Sequence, residues 1–428
     1  MFNYYLKLAL YNIKRAALVN FLVVFTIAIG VGLISANLTL VNTMMSNPVA
    51  EKSDRLFHIS MNTWPDDDPQ QEPFHILRYR DTLPILNYSG GKHKMVSYTT
   101  STYSRAVESK TLKRYQSIIR ATTKDFFAIT NAPFAYGTGF TEDNGQSLVI
   151  GHRLNMKLFN GENSVGKKVE LEGQEFVVSG VLKPWELRPR FYHPTEGMAF
   201  NRTEDLFMPL ETVIDLGLFP QGRASSTERV NELHESREKS MYYLQAWIEF
   251  DQASEVTDFQ TYLDAYTQGL KDAGEHPNKI INDLDDVQTW LEKQELVDDQ
   301  ILALLVASIL FLIVCIFNAS SLLLSRFHAA KFEIGLRRAI GANKGHLLQQ
   351  NLVESLLLGT MSGLLALLLA WSFLEVSVAF LPHLKNLVSF ELHILIGGIA
   401  LAILTTTLSA IYPMYRMSRY TISAELKG

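Results

Sequence analysis

Four apolar runs, each long enough to cross the hydrocarbon layer of a bilayer, constrain this 428-residue chain more than any other feature. They are residues 16–41 (AALVNFLVVFTIAIGVGLISANLTLV), 301–324 (ILALLVASILFLIVCIFNASSLLL), 351–380 (NLVESLLLGTMSGLLALLLAWSFLEVSVAF) and 394–414 (ILIGGIALAILTTTLSAIYPM). Each reaches the roughly 20 residues that a helix needs to span the bilayer core. The overall composition, 47% hydrophobic and 19% charged, hides this because the apolarity is gathered in four places. The first run is longer than the roughly 7–15-residue core of a secretory leader, and the only small-residue cleavage candidate, around Ser35 and Ala36, is weak. An uncleaved anchor is expected.

Short basic segments beside membrane spans stay in the cytoplasm, whereas long translocated domains are largely exempt from that rule. Lys7, Lys14 and Arg15 precede the first span, and Arg416, Arg419 and Lys427 follow the fourth. The loop between the second and third carries Arg326, Lys331, Arg337, Arg338 and Lys344 against a single acid, Glu333. Both termini and that loop are therefore expected on the cytoplasmic side. The expected division is a cytoplasmic amphipathic N-terminal helix at 1–15, spans at 16–41, 301–324, 351–380 and 394–414, an outer domain at 42–300, a cytoplasmic loop at 325–350, a short outer loop at 381–393 and a cytoplasmic tail at 415–428. The fold class is an α-helical membrane protein with four transmembrane helices and a large mixed α/β extracytoplasmic domain between the first and second spans.

Within the outer domain, QSLVI and KKVELEGQEFVVSGVL alternate as strands do, the latter turning at Gly173 as a hairpin, while HRLNMKLF reads as a short helix. TDFQTYLDAYTQGL places Phe259, Tyr262, Leu263 and Tyr266 at helical spacing behind a Thr257/Gln260 capping-box pattern. The polar stretch 221–240 is expected to be an exposed loop or surface helix. NDLDDVQTWLEKQELVDDQ runs into the second span and predicts an acidic helical stalk that carries the domain.

Enzymatic chemistry is hard to find. GENSVGKK, residues 161–168, misses the phosphate-loop pattern by one residue, with Lys168 where a hydroxyl should reach Mg²⁺. Its flanks are reversed, helix before and strand after, so Gly161 and Gly166 are read as turn residues and Lys167 as an exposed one. Neither a metalloprotease helix nor a nucleophile elbow nor a zinc-spaced Cys/His cluster is present. Cys315, alone inside the second span, is expected to fill space, and Asp66, Asp67 and Asp68 lack the alternation and glycine of a calcium loop. No catalytic residue, metal or cofactor is expected on this chain, and no nucleic-acid partner.

The informative stretch is CIFNASSLLLSRFHAAKFEIGLRRAIGANKGHLLQQNLVESLLLG, residues 315–359. Phe332, Leu336 and Ile340 recur every four residues, Arg337 and Arg338 add charge, and Gly341 and Gly345 can end the helix. On periodicity alone, a helix that docks a partner and one that touches only lipid headgroups fit equally well.

The order Asn318, LLL, Arg326, EIGLRRAIGA and LVESLLLG resembles the signature of MacB/FtsX-type ABC transporter permeases, in the four-span MacB-like branch. KLALYNIKRAALVNFLVVFTIAIGVG resembles that family's N-terminal helix and first span, and IYPMYRMSRYTISAEL its closing pattern, with Met414 and Met417 where small residues are common. Residues 121–183 resemble its periplasmic core domain, whereas about 50–115 and 185–250 align to nothing familiar. The resemblance implies a permease of the inner membrane that pairs with a second copy or a related permease and is driven by a separate cytoplasmic ABC ATPase, which would hold the ATP and Mg²⁺. It also implies that Phe332, Glu333, Ile334, Gly335, Leu336, Arg337, Arg338, Ile340, Gly341 and Ala342 form a coupling helix seated on that ATPase. Closure would then be transmitted to the outer domain with no channel through the spans, and Asn20, Asn37, Asn318, Glu354 and Glu375 do not trace an ion relay. Ala28 and Gly32, at small-residue spacing, are the expected dimer contact.

Three functions follow. One is an exporter of peptides, small amphiphiles or lipoproteins, with or without a periplasmic adaptor and outer-membrane channel. The second is an FtsX-like regulator of a cell-wall hydrolase, and the third a membrane receptor without an ATPase. An outer domain near 250 residues favours the first.

Overall fold

A computed structural model describes residues 2–65, 74–108, 113–140, 145–193, 199–277, 279–297, 299–330, 332, 333, 336, 344–380 and 392–418. The chain divides into two compact units, one formed by residues 1–44 with 297–428 and the other by 45–296.

The first unit begins with α1 (Phe2–Arg15), followed at once by α2 (Ala17–Met45). After the inserted unit the chain forms α9 (Asp299–Ala329), α10 (Lys344–Phe380) and α11 (Leu392–Ser418). Among the described residues, α2, α9, α10 and α11 are long and apolar enough to cross a membrane. Small residues let them approach closely, as helices do where lipid supplies no hydrophobic drive between them. A Cβ at Gly359 would sit 2.7 Å from the Ile403 backbone, and one at Gly32 would sit 3.0 Å from the Ala366 carbonyl. Cys315 is buried beside Gly30, as filler.

In the second unit the chain runs through β1 (Leu56–Met61), β2 (Leu77–Arg78), α3 (Tyr79–Asn87), β3 (His93–Ala106) and β4 (Tyr115–Thr122). It continues through α4 (Phe126–Ile129), β5 (Phe134–Gly137), β6 (Ser147–Ile150), α5 (His152–Phe159), β7 (Lys168–Leu171), β8 (Gln174–Leu182), β9 (Leu206–Pro209) and α6 (Leu210–Asp215). It ends with β10 (Ser225–Ser226), β11 (Met241–Glu249), α7 (Ala253–Asp272), β12 (Asn282–Asp286) and α8 (Val287–Lys293). The described strands form one sheet in the order β12-β1-β11-β3-β4-β9-β6-β8-β5, with β2 and β10 added to β11 and β7 bridging β3 and β8. β4–β9 and β6–β8 pair parallel, and the other pairs are antiparallel. Side chains alternate across the sheet. On β11, Ala246 and Ile248 enter a core with Ile59, Ile119 and Phe259, while Trp247 enters a second core with Phe126, Phe191, Phe207 and Trp290.

The hairpin β7–β8 and the helix α5 lie where the sequence predicts them. Two expectations change. α7 starts one turn before Thr257, at Ala253, with Glu255 in its first turn, where an acid suits the helix dipole. Gln260 then donates to the Asn282 carbonyl instead of reaching back to a cap. The continuous acidic stalk is also absent: Asn282–Asp286 is a strand paired with β1, and Asp286 then caps the short α8 by accepting from the Thr289 amide. The helix ends after Lys293, and Glu295 adopts a left-handed φ of 45°. Lys293 bonds both Asp283 and Asp285, which removes the repulsion that an acidic strand would carry.

Candidate functional site

Charged and amide side chains gather at one end of the membrane helices. Arg326, in the last turn of α9, forms an ion pair with Glu354 of α10; their side chains are 12% and 5% exposed. The same guanidinium donates to Asn20 Oδ1 of α2 at 2.8 Å, and Asn12 Nδ2 of α1 donates to Glu354 Oε2 at 3.2 Å. Asn20 Nδ2 donates to the Ile13 carbonyl at 3.1 Å, which holds the α1–α2 corner. Four helices are thereby joined through one buried pair. A charge buried beside apolar helices must find a partner, and here Arg326 and Glu354 find each other. Nearby in sequence, Arg15 Nη1 lies 2.6 Å from Glu333 Oε2, a pair exposed enough to contribute little by itself.

Of the predicted coupling residues, Phe332 and Leu336 are 59% and 44% exposed, and Glu333 is tied to Arg15. Residues 332, 333 and 336 are helical. Ile334, Gly335, Arg337, Arg338, Ile340, Gly341 and Ala342 lie outside the described residues, as do Asp66, Asp67 and Asp68. Ala28 is fully buried among its own chain's helices, and Gly32 abuts Ala366 and Ala370 of α10, so both small residues serve packing within one chain and present no free surface for a dimer. Sequence reasoning named Arg326, Glu354 and Asn20 one at a time and missed the cluster. The available signal was an acid, Glu354, inside one apolar run and a base, Arg326, two residues beyond the end of another.

GENSVGKK is a turn. Gly161 and Gly166 have φ of 78° and 84°, the Gly166 amide donates to the Val178 carbonyl, and the Lys167 amide donates to that of Ser164. Both amides are spent on backbone carbonyls and do not form a phosphate cradle. Lys167 Nζ sits 3.5 Å from Glu162 and over the Phe159 ring. Among the described residues no group of three or more His, Cys, Asp or Glu side chains could hold a metal.

The α/β unit has its own buried charge. Glu204 accepts from Arg120 at 2.6 Å, from Arg190 at 2.9 Å and from the Tyr192 hydroxyl at 3.1 Å. Burial alone would raise its pKa, but the two guanidinium groups outweigh this and bring it down to about 2. The Arg120 guanidinium also lies 4.8 Å from the Tyr192 ring centroid.

Four membrane-capable helices, with a large α/β domain inserted after the first, define an ABC-transporter permease of the type whose bulk lies outside the bilayer. The chain matches the MacB-like periplasmic core domain model over residues 20–265 and the FtsX-like permease C-terminal model over 305–422, and it belongs to the MacB/FtsX family of permeases. It is 23% identical over 345 residues to the macrolide export ATP-binding/permease protein MacB of Syntrophobacter fumaroxidans, covering 70% of this chain and 46% of that one. For the same-named protein of Nitrobacter winogradskyi the identity is 26% over 309 residues, covering 70% and 42%. The pyoverdine export ATP-binding/permease protein PvdT of Pseudomonas aeruginosa is 23% identical over 306 residues, covering 68% and 39%. The chain thus spans less than half the length of these relatives. Among solved structures, the periplasmic region of MacB from Actinobacillus actinomycetemcomitans matches with 14% identity and TM-score 0.37, covering 59% of this chain and 97% of that one. The extracellular domain of the Gram-positive transporter YknZ matches with 14% identity and TM-score 0.34, covering 54% and 98%.

Proposed function

We propose that this chain is the permease subunit of an ABC exporter and that an ATPase on another polypeptide, holding ATP and Mg²⁺, docks on the segment around Phe332–Ala342. The ATPase cycle moves the membrane helices and so the outer domain, which extrudes a peptide, small amphiphile or lipoprotein. The relatives' names, which join ATP-binding and permease, support this reading. So does one observation on this chain: Phe332 and Leu336 expose apolar surface one helical turn apart while the charge between them, Glu333, is held by Arg15. An anchor of that form suits a protein groove, where apolar contacts supply affinity and charges set orientation. The reading includes the inner membrane, cytoplasmic termini, and a second permease copy or related permease, with an adaptor and outer-membrane channel as further partners.

Leu336→Asp tests it by burying an unpaired carboxylate in the contact, which costs a few kcal/mol. The variant is expected to stay in the membrane and lose the ATPase on co-purification, while Lys344→Ala retains it. Retention of the ATPase by Leu336→Asp, with full transport-linked hydrolysis, would falsify the docking assignment.

A further inference from the structure

A cleft of about 340 Å³ opens in the α/β unit between the start of α5, the segment that follows β8 and the approach to β9. Its walls include His152, Arg153, Lys183, Trp185, Arg202 and Asp205, over the apolar Leu182 and Pro184.

The lining carries three bases, Arg153, Lys183 and Arg202, against three acids, Glu186, Glu204 and Asp205, but each acid is already paired. Asp205 is nearly buried and already saturated, paired with Arg153 and accepting the Ile118 amide at 3.1 Å. Glu186 is paired with Arg188 at 2.8 Å, and Glu204 is consumed by Arg120 and Arg190. Two cations remain. Arg202 comes only within 3.9 Å of Asp205, and Lys183 is exposed and forms no ion pair among the described residues. Thr203 adds a buried hydroxyl oxygen with no hydrogen-bond partner to the same lining. Trp185 is half-buried and packs on the second core, so its ring is a fixed wall. An aromatic wall beside unspent cations and an idle hydroxyl is the composition of a site that orients a polar head and covers an apolar body.

We propose that this cleft binds a small soluble anionic amphiphile, a carboxylate, sulfonate or phosphate group carried on a compact apolar or aromatic body. The anion sits between Lys183 and Arg202 with Thr203 donating to it, and the body lies against Trp185. The volume is at the low end of the roughly 300–1,000 Å³ of small-molecule pockets, which suits a single ring system and not a two-chain lipid. Every residue involved lies within one unit, so the site does not depend on ATPase docking.

The test uses the full chain in nanodiscs of zwitterionic lipid, with naphthalene-2-sulfonate as the probe, neutral 2-naphthalenemethanol as control and lysophosphatidylglycerol as competitor. Binding is followed by saturation-transfer NMR. Saturable binding of the sulfonate is expected, with weaker binding of the alcohol. Lys183→Glu combined with Arg202→Glu should weaken the sulfonate by about tenfold or more through charge reversal on two exposed residues, with unchanged thermal unfolding. Trp185→Ala should weaken both probes, and Lys183→Arg, which keeps the charge, should retain the sulfonate. Equal affinity for the two probes, undiminished binding by the double variant, or no saturable binding would overturn the proposal. Tighter binding of lysophosphatidylglycerol than of the sulfonate would assign the site to a lipid headgroup and overturn it as a solute site.

Discussion

Each unit of the molecule buries an arginine–glutamate cluster, and the two are built differently. In the α/β domain, Glu204 is held by two arginines and a tyrosine hydroxyl, all nearly inaccessible, so both carboxylate oxygens have donors. In the membrane unit, Glu354 has one arginine and one asparagine, and that arginine is shared with Asn20. The first arrangement fixes a single packing. The second joins four helices through one ion pair and two amide side chains, with fewer donors on the carboxylate. Buried pairs are weak evidence for stability as such, and their worth lies in what breaks when one member is lost.

The largest expected effect is in the Glu204 cluster. Glu204→Ala leaves Arg120 and Arg190 buried without a counter-ion, at a cost of about 3–5 kcal/mol, a large part of a typical domain's 5–15 kcal/mol. Chemical denaturation followed by tryptophan fluorescence measures it, and a loss under about 1 kcal/mol would erase the contrast between the units. Glu354→Ala should cost less, about 1–3 kcal/mol, because Arg326 sits near a helix end and can extend toward the interface. Glu354→Leu combined with Arg326→Met should recover most of that loss, since an apolar pair needs no partner. A double variant no better than either single one would mean that the pair holds the helices by more than charge compensation.

A third effect is one of pH. Burial first, then the neighbouring His75 and Lys293, keeps His58 neutral and its pKa well below 6.5. A depressed histidine takes up a proton on unfolding, so its stabilisation is complete above about 6.5 and falls as the pH drops below it, by about 1.4 kcal/mol per unit for one such group. Glu204, at about 2 folded against 4.5 unfolded, loses its contribution only as the pH falls from 4.5 toward 2. Acid should therefore weaken the domain in two stages, and His58→Phe should make the first shallower, leaving the share of His193, while the second is unchanged. Urea midpoints between pH 7 and pH 3 read both stages; an unchanged upper slope in the variant would reassign it to His193, which burial, Arg120 and Arg190 also hold neutral. The smallest effect is at the exposed pair: Arg15→Ala should change thermal stability by less than about 1 kcal/mol.

Whatever rests on local periodicity was legible in the sequence. The spans, the β7–β8 hairpin, α5 and the turn glycines Gly161 and Gly166 are each specified by neighbours along the chain. Whatever depends on distant partners was not. Asn282–Asp286 has poor strand propensity and reads as helix; it is a strand because β1 offers backbone partners and Lys293 neutralises the acids. Asn12 and Glu354 are 342 residues apart, and no spacing rule connects them. Ala28 and Gly32 show the same limit from the other side: small-residue spacing marks a close contact but not which helix makes it.

The sheet's end at β12 has a mechanical consequence. β12 is the outermost described strand, and its register sets Asp286 opposite Phe57 and Asn282 opposite Met61. The chain from α2 therefore enters β1 at the same end from which the chain toward α9 leaves β12. Peeling β12 from β1 at that end would break the ladder one rung after another from Phe57–Asp286, whereas sliding one strand along the other would load all rungs at once. The first rungs are clamped by the ring of His58 stacked on Trp290, 3.6 Å between centroids, and by the Trp290 indole donating to the Phe191 carbonyl at 2.9 Å. His58 and Trp290 thus tie α8 to the end of the ladder where it would first open.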